Sequence, residues 1–310
     1  MACRGSRTTR TARAPGFAVL LLVGAGAWAQ AAPAQAGRIE AQRLRPGLHL
    51  LGGAGSNVVV WSGPDGAVLV DGGRAEASGE LLEAVEAVAP GARLRFVVNT
   101  HWHPDHSGAN EVLADAGAVV AAHENSRARM TEPQQVREYD ARVPAAPRAA
   151  LPVVTFTDGL TINLNGGRLV LLPMPQAHTD GDAVAWWPEA NLVHLGDLYH
   201  AGGYPFLDAG HGGSLAGLVA ALEAVLSRSN SATIVVPGHG PVGTRADLVA
   251  YRNMLVAVGS RVRELAEQGL SVEEILATRP TAAWDERYAA GGVRPERFVR
   301  LLFEDLAARR

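Results

Sequence analysis

Between Thr100 and Gly108 the chain reads His101-Trp102-His103-Pro104-Asp105-His106, three imidazoles and a carboxylate within six residues. Such a set does not easily share a small loop without a cation between its members. Neutral imidazole and carboxylate are the nitrogen and oxygen donors that Zn²⁺ accepts, and the spacing aims His101 and His103 one way while Asp105 and His106 reach toward a second position. The loop reads as half of a two-metal site, whose remaining ligands must come from elsewhere in the chain. Lysine chemistry is excluded, because all 28 basic residues are arginine and no lysine nucleophile, Schiff base or anion clamp exists.

A loop of this kind needs rigid elements behind it. Residues 94–98 form a short apolar strand that delivers the cluster at its carboxyl end, where α/β proteins build sites. Upstream, residues 48–51 begin a strand, and 57–61 with 67–70 read as a hairpin around Gly63-Pro64-Asp65-Gly66 that ends in Asp71-Gly72-Gly73. Residues 80–88 have helical spacing. Downstream, helix is expected at 109–116, strand at 118–122 and helix at 124–130. A stretch of about twenty residues with Pro133, Pro144 and Pro147 follows without periodicity, a candidate lid or substrate-facing loop. Strands resume at 153–156, 160–164 and 168–172, and the loop after them carries His178. A hairpin of 183–187 and 191–195 runs into Gly196-Asp197-Leu198-Tyr199-His200. After a helix at 215–226, a strand at 233–236 empties into Pro237-Gly238-His239-Gly240-Pro241, and the rest of the chain is helical. Two runs of strands followed by helices, each with metal-type residues at strand ends, fit two sheets packed face to face with helices outside.

The length of 310 residues, with 47% hydrophobic and 19% charged, suits one large or two modest globular domains. Arg4, Arg7, Arg10 and Arg13 precede an apolar run from Phe17 to Trp28, with small residues at Ala27 and Ala29, the pattern of a cleavable export signal. The run is shorter than the ~20 residues of a membrane span. Removing residues 1–29, with four arginines and no acid, takes the formal charge from -3 to -7, which speaks against nucleic-acid or anionic-membrane partners. Cys3, the only cysteine, lies within that segment, so the mature chain has neither disulfides nor thiolate ligands.

Taken in order, VLVDGG around Asp71, HWHPDH, QAHTDGD around His178, HLGD ending in Asp197 and PGHGP around His239 resemble the motifs of the metallo-β-lactamase superfamily over about residues 45–242. The resemblance implies an α/β fold, an αββα four-layer sandwich of two mixed β-sheets packed face to face with helices outside. It also implies two Zn²⁺ ions, one on His101, His103 and His178, the other on Asp105, His106 and His239, with Asp197 bridging them. Asp71 then serves as an acceptor that orients a ligand histidine. The expected organisation is a signal peptide over 1–29, a linker over 30–44, a catalytic domain over 45–242 and a helical extension over 243–310 packed on the same domain.

Two such cations about 3.5 to 4 Å apart can share a hydroxide at neutral pH, for which Asp105 would orient and pass on a proton. His200 stands where many β-lactamases with a cysteine in this motif place a lysine, and it could hydrogen-bond an anionic substrate group. Aspartate in place of that cysteine is what glyoxalase-II-like thioesterases and lactonases have. The expected function is an exported, periplasmic or secreted binuclear zinc hydrolase using a metal-bound hydroxide on a small carbonyl substrate, a β-lactam first. Alternatives are a lactone or thioester hydrolase, a mononuclear iron persulfide dioxygenase, and a non-catalytic periplasmic metal-binding protein. Trp102 is expected to support its loop, Tyr199, Tyr204 and Phe206 are candidate wall residues with simple packing the expected role of at least one of them, His49, His123 and His194 read as packing residues, and His211 is undecided.

Overall fold

The computed structural model describes residues 1–2, 38–136 and 141–308, so the expected signal segment and most of the expected linker lie outside the described residues. From the amino end run β1 (Glu40–Arg45), β2 (Leu48–Gly52), β3 (Val58–Gly63) and β4 (Gly66–Val70), then α1 (Ser78–Val88), β5 (Leu94–Val98), α2 (Pro104–Ser107), α3 (Asn110–Asp115), β6 (Val119–His123) and α4 (Glu124–Met130). A short ribbon of β7 (Gln134–Val136) and β8 (Ala141–Val143) leads to β9 (Val154–Phe156). The second half holds β10 (Leu160–Leu164), β11 (Gly167–Pro173), β12 (Ala183–Trp187), β13 (Leu192–His194), α5 (Leu215–Arg228), β14 (Ile234–Val236) and β15 (Gly243–Thr244). It closes with α6 (Arg245–Glu267), α7 (Val272–Ala277), α8 (Asp285–Tyr288) and α9 (Pro295–Ala308).

The strands form two sheets, in the orders β1-β2-β3-β4-β5-β6-β9 and β10-β11-β12-β13-β14-β15. Both are mixed: β4 with β5, β5 with β6, β6 with β9 and β13 with β14 run parallel, and the remaining pairs run antiparallel. Side-chain alternation assigns the layers. In β3, Val59 and Trp61 join the apolar layer between the sheets, where they meet Leu169, Leu171, Ala185 and Trp187 of the second sheet. Val58 and Val60 point the other way and pack with Leu81 and Val85 of α1 and Leu113 of α3. In β12 the same alternation sends Val184 and Trp186 outward to the layer of α5, α6 and α9. The architecture is the expected αββα sandwich. With both faces of each sheet covered, β4 and β12 are buried at every position, which is why they read as unbroken apolar runs.

Two regions depart from the sequence expectation. Residues 40–44, placed in a linker, lie in β1, which pairs antiparallel with β2 from Glu40 opposite Gly52 to Arg45 opposite Leu48. It is an edge strand in which Leu44 alone is buried, so no apolar alternation marked it. The stretch after α4 is not structureless: Val136 and Ala141 of its ribbon pack with Met130 against Trp102 of the histidine loop. The extension after Thr244 is helical and joins the outer core of the second sheet through Tyr251, Leu255, Phe298 and Leu302. Among the described residues, no helix is long and apolar enough to cross a membrane.

Candidate metal centre

The site residues stand at strand ends on one edge of the sandwich. Asp71 follows β4, and Asn99 to His106 follow its parallel neighbour β5. Asp197 follows β13, and His239 follows its parallel neighbour β14. The loop after β5 is wound tightly: His103 precedes the single turn of α2, and its carbonyl accepts from the backbone N–H of His106 and Ser107. Asn99 and Asn110 exchange side-chain hydrogen bonds at 3.0 and 2.7 Å beneath it, and the Ser107 hydroxyl donates to the carbonyls of Trp102 and His103. Trp102 is buried and supports the loop as expected.

Three imidazole nitrogens meet in the first cluster. His103 Nδ1 lies 3.1 Å from His101 Nε2 and 3.0 Å from His178 Nε2. The outer nitrogens decide the tautomers. His103 Nε2 donates to Asp208 Oδ2 at 2.9 Å, and His178 Nδ1 donates to the Phe206 carbonyl at 2.9 Å. The Thr100 hydroxyl gives its hydrogen to Asp71 Oδ2, so it accepts from His101 Nδ1 at 3.1 Å. All three inward nitrogens are thereby left as lone pairs, with no hydrogen for either short contact. Three converging lone pairs repel unless a cation sits between them, and for Zn–N bonds of about 2.0–2.1 Å tetrahedral ligands would lie roughly 3.3 Å apart, close to what is seen. Burial, and then the neighbouring imidazoles, push the pKa of His101 well down and that of His178 down to about 4, so neither holds a proton at neutral pH.

The second cluster is Asp105, His106 and His239, joined to the first through Asp197. His239 Nε2 lies 3.2 Å from Asp105 Oδ2 and 3.4 Å from Asp197 Oδ1. His106 Nε2 lies 3.1 Å from Asp197 Oδ1, yet both atoms are buried and neither finds a hydrogen-bond partner of acceptable geometry. Buried polar atoms are rarely left so, and two such atoms facing one space call for a shared positive partner. Asp197 Oδ2 points back toward the first cluster, 3.9 Å from His178 Nε2. Burial lowers the pKa of His106 and His239, but the carboxylates around them outweigh it, led in each case by Asp197, so His106 is raised well above its usual range and His239 up to about 10. A positive charge, proton or metal, belongs there.

Backbone features hold these groups in place. Asp71 sits at φ 65°, a left-handed conformation that non-glycine residues adopt at a cost of order 1–3 kcal/mol. From there its carboxylate accepts from the Thr100 N–H at 2.7 Å, the Thr100 hydroxyl at 3.0 Å and His106 Nδ1 at 2.7 Å. A Cβ on Gly238 would come within 2.0 Å of Asp197 Oδ1, so glycine there makes room for the Asp197 carboxylate.

The structure thus gathers His101, His103, Asp105, His106, His178, Asp197 and His239, with Asp71 behind them. His200 lies at the rim, its ring 5.3 Å from that of His239, and burial pushes its pKa down to about 4. At neutral pH it offers a hydrogen bond rather than a positive charge. Tyr199 and Tyr204 are buried in the outer core of the second sheet and are not wall residues, whereas Phe206 lies 6.0 and 5.7 Å from the rings of His103 and His178. His194 bridges the Asn57 carbonyl and the Gly196 N–H, and His123 caps α4 by accepting from the Asn125 N–H. Two further buried carboxylates, not singled out by the sequence motifs, hold this region. Asp182 accepts from the N–H groups of His178 and Thr179, and Asp208 accepts from both His103 and His211. Asp208 is the only acid between Asp197 and Glu223, the one hint available in the sequence.

A sequence profile of the metallo-beta-lactamase superfamily matches residues 51–239. The chain is 31% identical to a hydroxyacylglutathione hydrolase of Anaeromyxobacter dehalogenans, over 56% of this chain and 56% of that relative. It is 29% identical to a metallo-beta-lactamase type 2 of Bacillus cereus, over 64% of this chain and 73% of the relative. The first match thus spans little more than half of that relative's length. Among solved structures, a variant of a sec-alkyl sulfatase superposes with a TM-score of 0.67 at 17% identity, across 86% of this chain and 50% of that one. A metallo-beta-lactamase from Pontibacter korlensis gives 0.57 at 23% identity, across 70% and 98%. These structural likenesses speak to the fold alone. Since the profile covers more than half of the sequence and the clustered His/Asp donors fall within its span, this chain belongs to the metallo-β-lactamase superfamily.

Proposed function

We propose that the protein is an exported binuclear zinc hydrolase acting on a small carbonyl substrate, with a β-lactam as the first substrate class. The observation that carries this reading is the pair of donor clusters sharing Asp197, one with three inward lone pairs and the other with orphaned buried atoms on His106 and Asp197. Two divalent cations held there would supply a hydroxide nucleophile at neutral pH and polarise a carbonyl. The chain's own groups do the rest. Asp105, whose side chain is 26% exposed, faces the opening and can hold the nucleophile's proton before handing it to the departing nitrogen, oxygen or sulfur. Neutral His200 donates a hydrogen bond to the substrate, and Phe206 supplies an apolar wall beside His103 and His178.

The relatives support two substrate classes. The Bacillus cereus β-lactamase and a Bacteroides fragilis counterpart at 25% identity favour a β-lactam, and export would bring the protein to where such compounds arrive. The 31% identity to a hydroxyacylglutathione hydrolase, with aspartate at the bridging position, favours a thioester. Zinc-loaded protein should open a chromogenic cephalosporin, a penicillin or a carbapenem with saturable kinetics, lost on chelation and restored by zinc. Turnover of lactones or S-acyl thioesters alone would overturn the β-lactam assignment. One iron per chain with oxygen uptake, or no hydrolysis at all by protein carrying two zinc ions, would overturn the hydrolase reading itself.

A further inference from the structure

The segment from Asp197 to His211 serves the metal centre at more points than its one ligand. Beyond Asp197 it carries His200 at the rim, presents the Phe206 carbonyl that accepts from His178 Nδ1, and presents the Asp208 carboxylate that accepts from His103 Nε2. Two of the three tautomers in the first cluster are therefore set by this one loop. Its far end is tied to the loop of His178: the Asp208 N–H donates to the His178 carbonyl at 3.0 Å, and the Asp180 N–H donates to the His211 carbonyl at 2.8 Å.

Its middle is held from behind by the carboxyl-terminal extension. Tyr204, 0% exposed, stacks on Phe298 of α9 with ring centroids 5.0 Å apart. Its hydroxyl donates to Asp285 Oδ1 of α8 at 2.9 Å, and its backbone forms an antiparallel bridge with Val293. Next to it, Gly203 is pressed between the two parts: a Cβ there would fall 2.8 Å from the His200 imidazole, and a Cβ on Gly291 would fall 2.4 Å from the Gly203 Cα. Three independent contacts thus join one buried tyrosine to residues 285–298, and the next polar groups along the loop are the acceptors for the ligand histidines.

We propose that the carboxyl-terminal extension is a working part of the metal centre: by anchoring Tyr204 it positions the Phe206 carbonyl and the Asp208 carboxylate, and so pre-sets His178 and His103 to receive the first cation. Tyr204 is a positioning residue, not a ligand. The inference rests on the two-cluster metal reading above but does not depend on the reaction catalysed. Orienting acceptors of this kind change metal affinity by about 10- to 100-fold when removed, and loosening them from a distance should give the lower end of that range.

The test uses the full-length protein and two readouts. Zinc affinity of each position is measured by competition with a chromophoric chelator, and the hydrogen-bonded imidazole N–H protons of His103 and His178 are observed by NMR in metal-free protein. Tyr204→Phe and Asp285→Ala should weaken the tighter zinc site by about tenfold and broaden both N–H signals, while Asp285→Asn, which keeps an acceptor, should behave as wild type. Val262→Ala, in the same outer core but on α6, serves as the control: it should lower the melting temperature and leave zinc affinity unchanged. If Tyr204→Phe and Asp285→Ala lower the melting temperature as the control does, with affinity and N–H signals intact, the extension is only a structural layer and the proposal is overturned. If wild-type protein binds no zinc, the underlying metal reading fails instead, a distinguishable result.

Discussion

At the scale of single residues, the site is governed by where hydrogens can be. Asp71 accepts three hydrogen bonds from a left-handed backbone position, and one of its donors is His106 Nδ1. Asparagine tolerates the same backbone conformation, so Asp71→Asn isolates the chemistry: its amide supplies one acceptor oxygen where the carboxylate supplies two. We expect that variant to fold and to lose zinc from the second cluster by about 10- to 100-fold in affinity, read by metal analysis after dialysis against a weak chelator. Retention of two zinc ions at wild-type affinity would contradict the orienting role. The pH dependence separates the clusters further. In metal-free protein His239 titrates at about 10 and His106 is raised, so at pH 7 a cation entering there displaces protons, and its affinity must rise with pH. His101 and His178 hold no proton at pH 7, so neither has one to release when a cation enters the three-histidine cluster. Acid should therefore strip the second cation first. Calorimetric titrations in buffers of different ionisation heat should show proton release concentrated in the second binding event, and equal release in both events would refute this ordering.

At the scale of elements, parallel neighbours do the positioning. Because β4 and β5 run parallel, as do β13 and β14, the residues following each pair emerge side by side, which brings Asp71 to His101–His106 and Asp197 to His239. The close turn after β14 makes Gly238 indispensable to this arrangement. Gly238→Ala places a methyl 2.0 Å from Asp197 Oδ1 and 2.7 and 2.8 Å from the backbone C and O of Gly196, so both the Asp197 carboxylate and the turn before it must move. Zinc at the second position should weaken at least tenfold, with a lowered melting temperature of the metal-free protein; unchanged stoichiometry and affinity would show that Asp197 is not a ligand there. The strand that carries Asp71 at its end is legible because burial on both faces makes β4 a continuous apolar run. The edge strand β1 was not, since it exposes residues 40–43 and buries only Leu44. The ribbon of β7 and β8 was also missed, being three residues a side and surrounded by prolines. Asp208 escaped for another reason: ligand motifs have fixed spacing, but an acceptor for an outer imidazole nitrogen need only arrive from some loop. Of the three aromatics near Asp197, for at least one of which packing is the expected role, Tyr199 and Tyr204 turn into the core.

At the scale of the whole molecule, the donors come from both halves of the sandwich. The first sheet supplies His101, His103, Asp105 and His106, and the second supplies Asp197 and His239, with His178 from the loop between β11 and β12. Without a cation the two halves are joined there by polar contacts: the Asn57 side chain donates to the carbonyls of Pro237 and Gly240, and His194 Nε2 lies 3.0 Å from the Asn57 carbonyl. Each cation would add a cross-link between sheets that exists only in the folded chain, because the ligands are scattered from residue 101 to residue 239 in the sequence. Binding to the native state alone stabilises it by RT ln(1 + [L]/Kd), about 4.1 kcal/mol when free zinc exceeds Kd a thousandfold. For a domain somewhat larger than 250 residues, one kcal/mol moves the melting temperature by roughly 2 °C. Saturating the tighter cluster should thus raise the melting temperature by about 8 °C over the chelated protein, with a smaller further rise as the second fills. Since protons compete for His106 and His239 of the second cluster, that second increment should shrink as pH falls from 8 to 6. Identical melting curves with and without zinc would mean that the converging lone pairs are not a metal centre. A single increment would mean that only one of the two clusters is.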